Sequence, residues 1–100
     1  MRKIVHSEKA PAAVGPYSQG IRAGNLLFIS GQLGLDMKTG EIAYGDVEAQ
    51  ARQVLNNLET IAQAGGSSLA NALKVSVYLT DMGDFDAMNA VYASFFPENP

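Results

Sequence analysis

The apolar positions of this chain change their period along its length, and those changes divide it into elements. "KIVHS" at 3 to 7 predicts a short first strand. "EKAPAAVGPYSQG" follows, and its Pro11, Gly15, Pro16 and Gly20 read as an ordered loop. "QGIR" and "LLFIS" are two more β-favouring segments joined by Ala23, Gly24 and Asn25. Gly or Asn can take positive φ in such a turn, so the pair predicts a hairpin. The second segment is apolar on successive residues, which predicts burial on both faces and a central place in a sheet. Gly31, Gly34 and Gly40 then interrupt the pattern, with a turn expected around Lys38 to Gly40.

From Asp46 the period becomes helical. Val47, Ala51, Val54, Leu55, Leu58, Ile61 and Ala62 share one stripe, with Glu48, Arg52, Gln53, Asn56 and Gln63 opposite. Asp46 suits the N-cap, Glu48 the first turn, and Gly65 with Gly66 the stop. "NALKVSVYLT" at 71 to 80 alternates, with Leu73, Val75, Val77 and Leu79 on one face and Lys74, Ser76, Tyr78 and Thr80 on the other, and so predicts a strand. A second helix is expected from Gly83 or Asp84 to Phe96. Phe85, Met88, Tyr92, Phe95 and Phe96 lie on one side of it, and Asp86, Ala87, Ala90 and Ser94 on the other. The order predicts an α/β (α+β) domain, a mixed sheet with two helices packed on one face. Such a sheet expects a further strand after the second helix, where "FFPENP" reaches Pro100. Residues 1–100 are therefore expected to be a single domain truncated at its C-terminal side.

Composition narrows the function. With 100 residues, 47% apolar and 17% charged, the chain can build one modest core. It contains no cysteine and one histidine, His6, which leaves little from which to build a metal site. His6 itself reads as a strand residue. The chain lacks 18 consecutive apolar residues and a signal-type N-terminus, so a cytoplasmic protein with no membrane partner is expected. A net charge of −3 with scattered Lys and Arg argues against nucleic acid as a partner.

No nucleophile–base pair, carboxylate pair or phosphate-binding loop can be named from spacing. Three polar places remain. Tyr17 follows Gly15 and Pro16, so a stiff loop aims its ring either into a pocket or over the edge of the core. Ser30 and Gly31 end the apolar strand, either admitting a ligand to bare backbone or simply terminating the strand. Asn89 lies at the border of the second helix's apolar stripe, where its amide needs neighbouring backbone, another subunit or a ligand.

"GPYSQG" at 15 to 20, "LLFISGQLGLD" at 26 to 36, "QVLNNLETIAQAGG" at 53 to 66 and "VSVYLTDMGDFDAMNAVYASFFPENP" at 75 to 100 resemble the Rid family, also called YjgF, and its RidA subgroup in particular. The resemblance runs over essentially the whole chain. It implies a chorismate-mutase-like fold and a homotrimer with active sites in clefts between subunits. It also implies hydrolysis of reactive 2-imino acids and their enamines, products of pyridoxal-phosphate-dependent dehydratases, to 2-keto acids and ammonia without a cofactor. Carried over by position, Tyr17, Ser30, Gly31 and Asn89 are implied substrate-binding residues. In the family a carboxylate-binding arginine in a Pro-Ala-Arg type motif, and then a glutamate that positions water, follow the segment matching "FFPENP". No catalytic residue is therefore assignable within 1–100. A non-catalytic, trimeric ligand-binding or chaperone-like protein is the alternative. Ribonuclease activity, attached to some relatives, fits least, given the acidic balance and the single histidine.

Overall fold

The stripe after Asp46 folds as helix α1, Val47–Ala64, in a computed structural model that describes residues 1–43 and 45–100. Asp46 caps it, its carboxylate accepting from the Ala49 N–H at 3.0 Å. That satisfies one of the donors a helix leaves free in its first turn. At the other end Gly66 takes φ +84°, a left-handed conformation that glycine reaches without a Cβ clash. The chain then folds back, so that the Ser67 N–H donates to Ala62 O at 2.9 Å and the Gly66 N–H to Gln63 O at 3.0 Å. These are the two bonds of a Schellman stop, supplied by the predicted glycines.

Strands β1 (Arg2–Val5), β2 (Gly20–Ala23) and β3 (Leu26–Ile29) form an antiparallel sheet in that order. The β2–β3 hairpin turns through Gly24 at φ +62°. A second antiparallel pair joins β4 (Leu35–Asp36) to β5 (Glu41–Ile42), its turn closed by the Gly40 N–H on Asp36 O at 2.8 Å. Among the described residues both sheets are antiparallel.

Helix α1 covers one face of the larger sheet. Ile61 has no exposed surface and packs with Val5 and Ala10, and Leu27 and Ile29 lean on that cluster from β3. The expectation that β3 is central and buried on both faces is not met. β2 is the middle strand, and Leu26 and Phe28 of β3 are 45% and 60% exposed. The pleat sends alternate side chains to opposite faces, and α1 covers only one of them. Ile4, Ile21 and Phe28 form a cross-strand row on the other.

Helix α2, Phe85–Phe95, follows a 3-10 turn at Met82–Asp84 and packs against α1. Leu55 of α1, Val91 of α2 and Leu69, from the 3-10 turn Leu69–Asn71, form a second buried cluster, with Ala51, Leu58, Phe95 and Phe96 around it. Val91 is outside the predicted stripe yet 2% exposed, and Phe85, inside it, is 44% exposed. The buried residues of α2 are Met88 and Val91, three apart, and partly buried Phe95 continues their line four residues on. Of residues 71–80, expected as a strand, Asn71 belongs to the 3-10 turn and 72–80 have no ladder partner among the described residues. Leu73 and Tyr78 are largely exposed. Alternation prepares a segment for a sheet, but a ladder also needs a neighbouring backbone to bond.

Asn57 was not anticipated as a core residue. It is 3% exposed, and its Nδ2 donates to Leu33 O at 3.2 Å and Leu35 O at 3.1 Å while its Oδ1 accepts from Gln53 Nε2 at 2.9 Å. The segment leading into β4 is thereby tied to α1 through a satisfied buried amide.

At the end of α1 a methyl group on residue 65 would have to displace the Leu27 side chain. A Cβ on Gly65 would lie 2.6 Å from Cδ2 of Leu27. Gly65→Ala is expected to lower stability by about 1 to 3 kcal/mol in urea unfolding. Leu27→Val in the same chain should recover part of that loss, and strictly additive losses would show that the two sites do not meet.

Candidate functional site

Tyr17, Ser30 and Gly31 come together because the loop before β2 is bonded to the end of β3. The Ser30 N–H donates to Gln19 O at 3.0 Å and the Ser30 hydroxyl donates to Ser18 O at 2.6 Å. These two bonds continue the β2–β3 pairing past Gly20↔Ile29 into the loop. Tyr17 is next along the chain. Its N–H donates to Gly15 O at 2.8 Å, and its hydroxyl oxygen accepts from the Val14 N–H at 3.3 Å. Its ring is therefore folded onto its own loop, and it is 45% exposed. At that exposure the ring is not buried over the core edge.

These bonds divide the chemical roles. A tyrosine hydroxyl whose oxygen accepts from backbone keeps its proton for an outside acceptor. The Ser30 hydroxyl has committed its proton to Ser18 O and offers only oxygen lone pairs to a ligand. Gly31 is exposed, and a Cβ built on it would meet no atom within 4 Å. One donor, one acceptor and a bare stretch of backbone thus stand at the same end of the hairpin.

Asn89 is elsewhere in the chain's own fold. It is exposed on α2 and lines a shallow groove of about 220 Å³ with Val75, Val77, Phe85, Met88 and Tyr92. No hydrogen bond to its side chain occurs among the described residues. The structure thus unites three of the four predicted site residues and leaves the fourth on a separate surface.

Gln19 is the residue that sequence reasoning missed. It is 2% exposed, and both ends of its amide are hydrogen-bonded. Oε1 accepts from the Ser7 N–H at 2.7 Å, while Nε2 donates to Pro11 O at 2.8 Å, Ser7 O at 3.0 Å and, more weakly, Ala10 O at 3.3 Å. The signal for it was weak, being one uncharged polar residue just before the glycine that opens β2. His6 is exposed and borders a different groove, of about 290 Å³, with Lys3, Arg22 and the end of α1. Among the described residues no group of three or more His, Cys, Asp or Glu side chains could hold a metal ion, and no helix is long and apolar enough to cross a membrane.

Comparison with known proteins places this geometry in a family. The family model described as Endoribonuclease L-PSP matches residues 7–100. A RutC family protein of Pyrococcus horikoshii is 54% identical over 99 residues, which cover 99% of this chain and 79% of that protein. Reactive Intermediate Deaminase A, chloroplastic, of Arabidopsis thaliana is 46% identical over 96 residues, covering 96% of this chain and 51% of its own. The crystal structure of a Thermotoga maritima protein matches all of this chain and 79% of its own at a TM-score of 0.96 and 43% identity. That of E. coli TdcF with bound serine matches 96% of this chain and 75% of its own at a TM-score of 0.90 and 44% identity. With the α+β architecture of those structures and sequence kinship along nearly its whole length, the chain belongs to the Rid family, also known as the YjgF or L-PSP family.

Proposed function

We propose that this domain hydrolyses reactive 2-imino acids and their enamine tautomers, of the 2-aminoacrylate and 2-aminocrotonate type, to 2-keto acids and ammonia. The observation that carries the reading is the 46% identity to a reactive intermediate deaminase over 96% of the chain. The serine bound in the TdcF structure supports it, because loss of water from serine gives 2-aminoacrylate. Such compounds arise on dehydratases that use pyridoxal phosphate, so the functional partner is an enzyme of that class.

The chemistry asks for positioning more than for a strong nucleophile. Water adds to the imine carbon, forming the C–O bond as the C=N π bond breaks and one of its protons passes to nitrogen. The carbinolamine hydroxyl then gives up its proton to nitrogen, C=O forms, the C–N bond breaks and ammonia leaves. The imine carbon is already electrophilic, so the protein's tasks are to fix the substrate, place the water and manage those protons. Tyr17 is suited to donate its free hydroxyl proton, Ser30 to accept from a substrate N–H or from water, and Gly31 to let the substrate approach the backbone. Asn89, remote from these residues in its own chain, would enter the site from a neighbouring copy of a homotrimer. The substrate carboxylate would be held by the arginine that follows the "FFPENP" segment in the family. Its planar fork makes two charge-assisted bonds to a carboxylate.

Non-catalytic binding of small amino and keto acids is the second reading, favoured by the serine seen whole in TdcF. Turnover separates the two. Cleavage of RNA, which the description of the family model suggests, is disfavoured by one histidine and a net charge of −3.

Coupled to a threonine dehydratase, a chain extended past Pro100 by a relative's arginine and glutamate strands should accelerate keto-acid release from the free imine. Residues 1–100 alone should be slower by roughly 30-fold to several-thousand-fold, the loss expected from a missing buried charge partner. Absence of acceleration by the extended chain, with serine or 2-oxobutanoate still bound, would transfer support to the binding reading. In the extended chain Tyr17→Phe should lower kcat/KM by about 100-fold or more while leaving the circular dichroism spectrum unchanged, as a lost proton donor would. A loss of less than twofold would remove Tyr17 from the proposed proton transfer.

A further inference from the structure

We infer that Gln19 is the positioning residue of this site, whose side-chain amide holds the Tyr17 loop in register with Ser30. The inference rests on the deaminase reading for its functional consequence, and on geometry alone for its structural one.

Residues 12 to 17 are exposed throughout, so no core of their own fixes them. They are held at their ends. The last ladder pair between β1 and β2 is Val5↔Gly20, and beyond it the chains separate. There the Gln19 side chain replaces the missing backbone partner, bonding both the N–H and the C=O of Ser7 at 2.7 and 3.0 Å as a neighbouring strand would. The same amide nitrogen reaches Pro11 O at 2.8 Å, which closes the loop from Pro11 to Gln19. The backbone of Gln19 meanwhile accepts from Ser30. One residue therefore joins the outgoing loop, the returning loop and the end of β3, with Tyr17 two positions away. Because the amide is buried and both of its N–H donors are used, replacing its donor takes the side-chain partner from Pro11 O and Ala10 O and leaves Ser7 O with only the long bond from the Ala10 N–H.

The amide has both a donor and an acceptor end, and that asymmetry gives a test which a space-filling role would not pass. Gln19→Glu keeps an acceptor for the Ser7 N–H but turns an ionised oxygen towards the carbonyls of Ser7, Ala10 and Pro11. Burial and those dipoles raise its pKa, and on acidification the protonated carboxyl regains one donor. Hydrogen exchange by NMR should show the protection factor of the Ser30 amide falling about tenfold or more in Gln19→Glu at pH 7.5 and recovering towards pH 5. Gln19→Leu should show no recovery, and the wild-type chain no such pH dependence. In the extended chain kcat/KM for imine hydrolysis should follow the Ser30 protection in the Gln19→Glu variant. If the wild-type extended chain shows no turnover, the deaminase reading fails while the amide measurement still decides the role of Gln19. Unchanged Ser30 protection in both variants, or activity lost without a change in that protection, would overturn the inference. The wild-type chain offers a check that needs no folded variant. The Ser7 and Ser30 amides should open with equal free energy, and protection factors differing by more than about tenfold would show that no common clamp holds them.

Discussion

The close approach of helix α1 to the three-stranded sheet at Ile61 is the contact on which the rest of the structure depends. Ile61 is wholly buried, and Gly20 of β2 lies opposite it. A Cβ there would stand 3.4 Å from Cγ2 of Ile61 and 3.5 Å from Cβ of Val5. Strand and helix therefore lie at ordinary van der Waals contact distance here. The same glycine places Gln19 at the edge of the contact, where its amide is shielded from water and its bonds to the loop count most. Fold and site are thus joined at two consecutive residues, Gly20 in the packing contact and Gln19, which ties that contact to the loop.

α1 also carries α2 through Leu55, Val91 and the residues around them, and its Asn57 reaches the segment that leads into β4. What this arrangement leaves uncovered is equally definite. Ile4 and Phe28 are exposed on the far side of the sheet, and Val77 and Phe85 border the groove that holds Asn89. Within one chain Asn89 does not meet Tyr17 and Ser30. A site containing all four residues requires a second copy of the chain, which is the arrangement proposed for the active form.

Much of this was legible in the sequence where one local rule governs an element. The Asp46 cap, the double-glycine stop after Ala64 and the turn at Gly24 each depend on a few neighbouring residues, and each formed as expected. Failures arose where the outcome depends on what lies across from an element. The four apolar residues of β3 describe two apolar faces, but nothing in them says which face a helix will cover. Residues 72–80 carry the alternation of a strand without the partner that would make them one. Gln19 and Asn57 look like surface amides because polarity is visible in a sequence and the carbonyls waiting for them are not. Of the site, Tyr17, Ser30 and Gly31 became candidates through loop stiffness and strand ending, and family resemblance gave them roles. Their grouping came from two hydrogen bonds that no spacing rule predicts.

The proposed chemistry is undemanding, and the residues match it. A donor at Tyr17, an acceptor at Ser30 and open backbone at Gly31 suit a small planar acid that is already reactive. The most direct measurement of where that acid sits is a titration of the isotopically labelled chain, extended by the family's arginine strand, with the stable product 2-oxobutanoate while amide chemical shifts are followed. The amides of Tyr17, Ser30, Gly31 and Asn89 are predicted to move together along one saturating curve. Shifts confined to the groove of Lys3, His6 and Arg22, with those four unmoved at saturation, would contradict the assignment of the site.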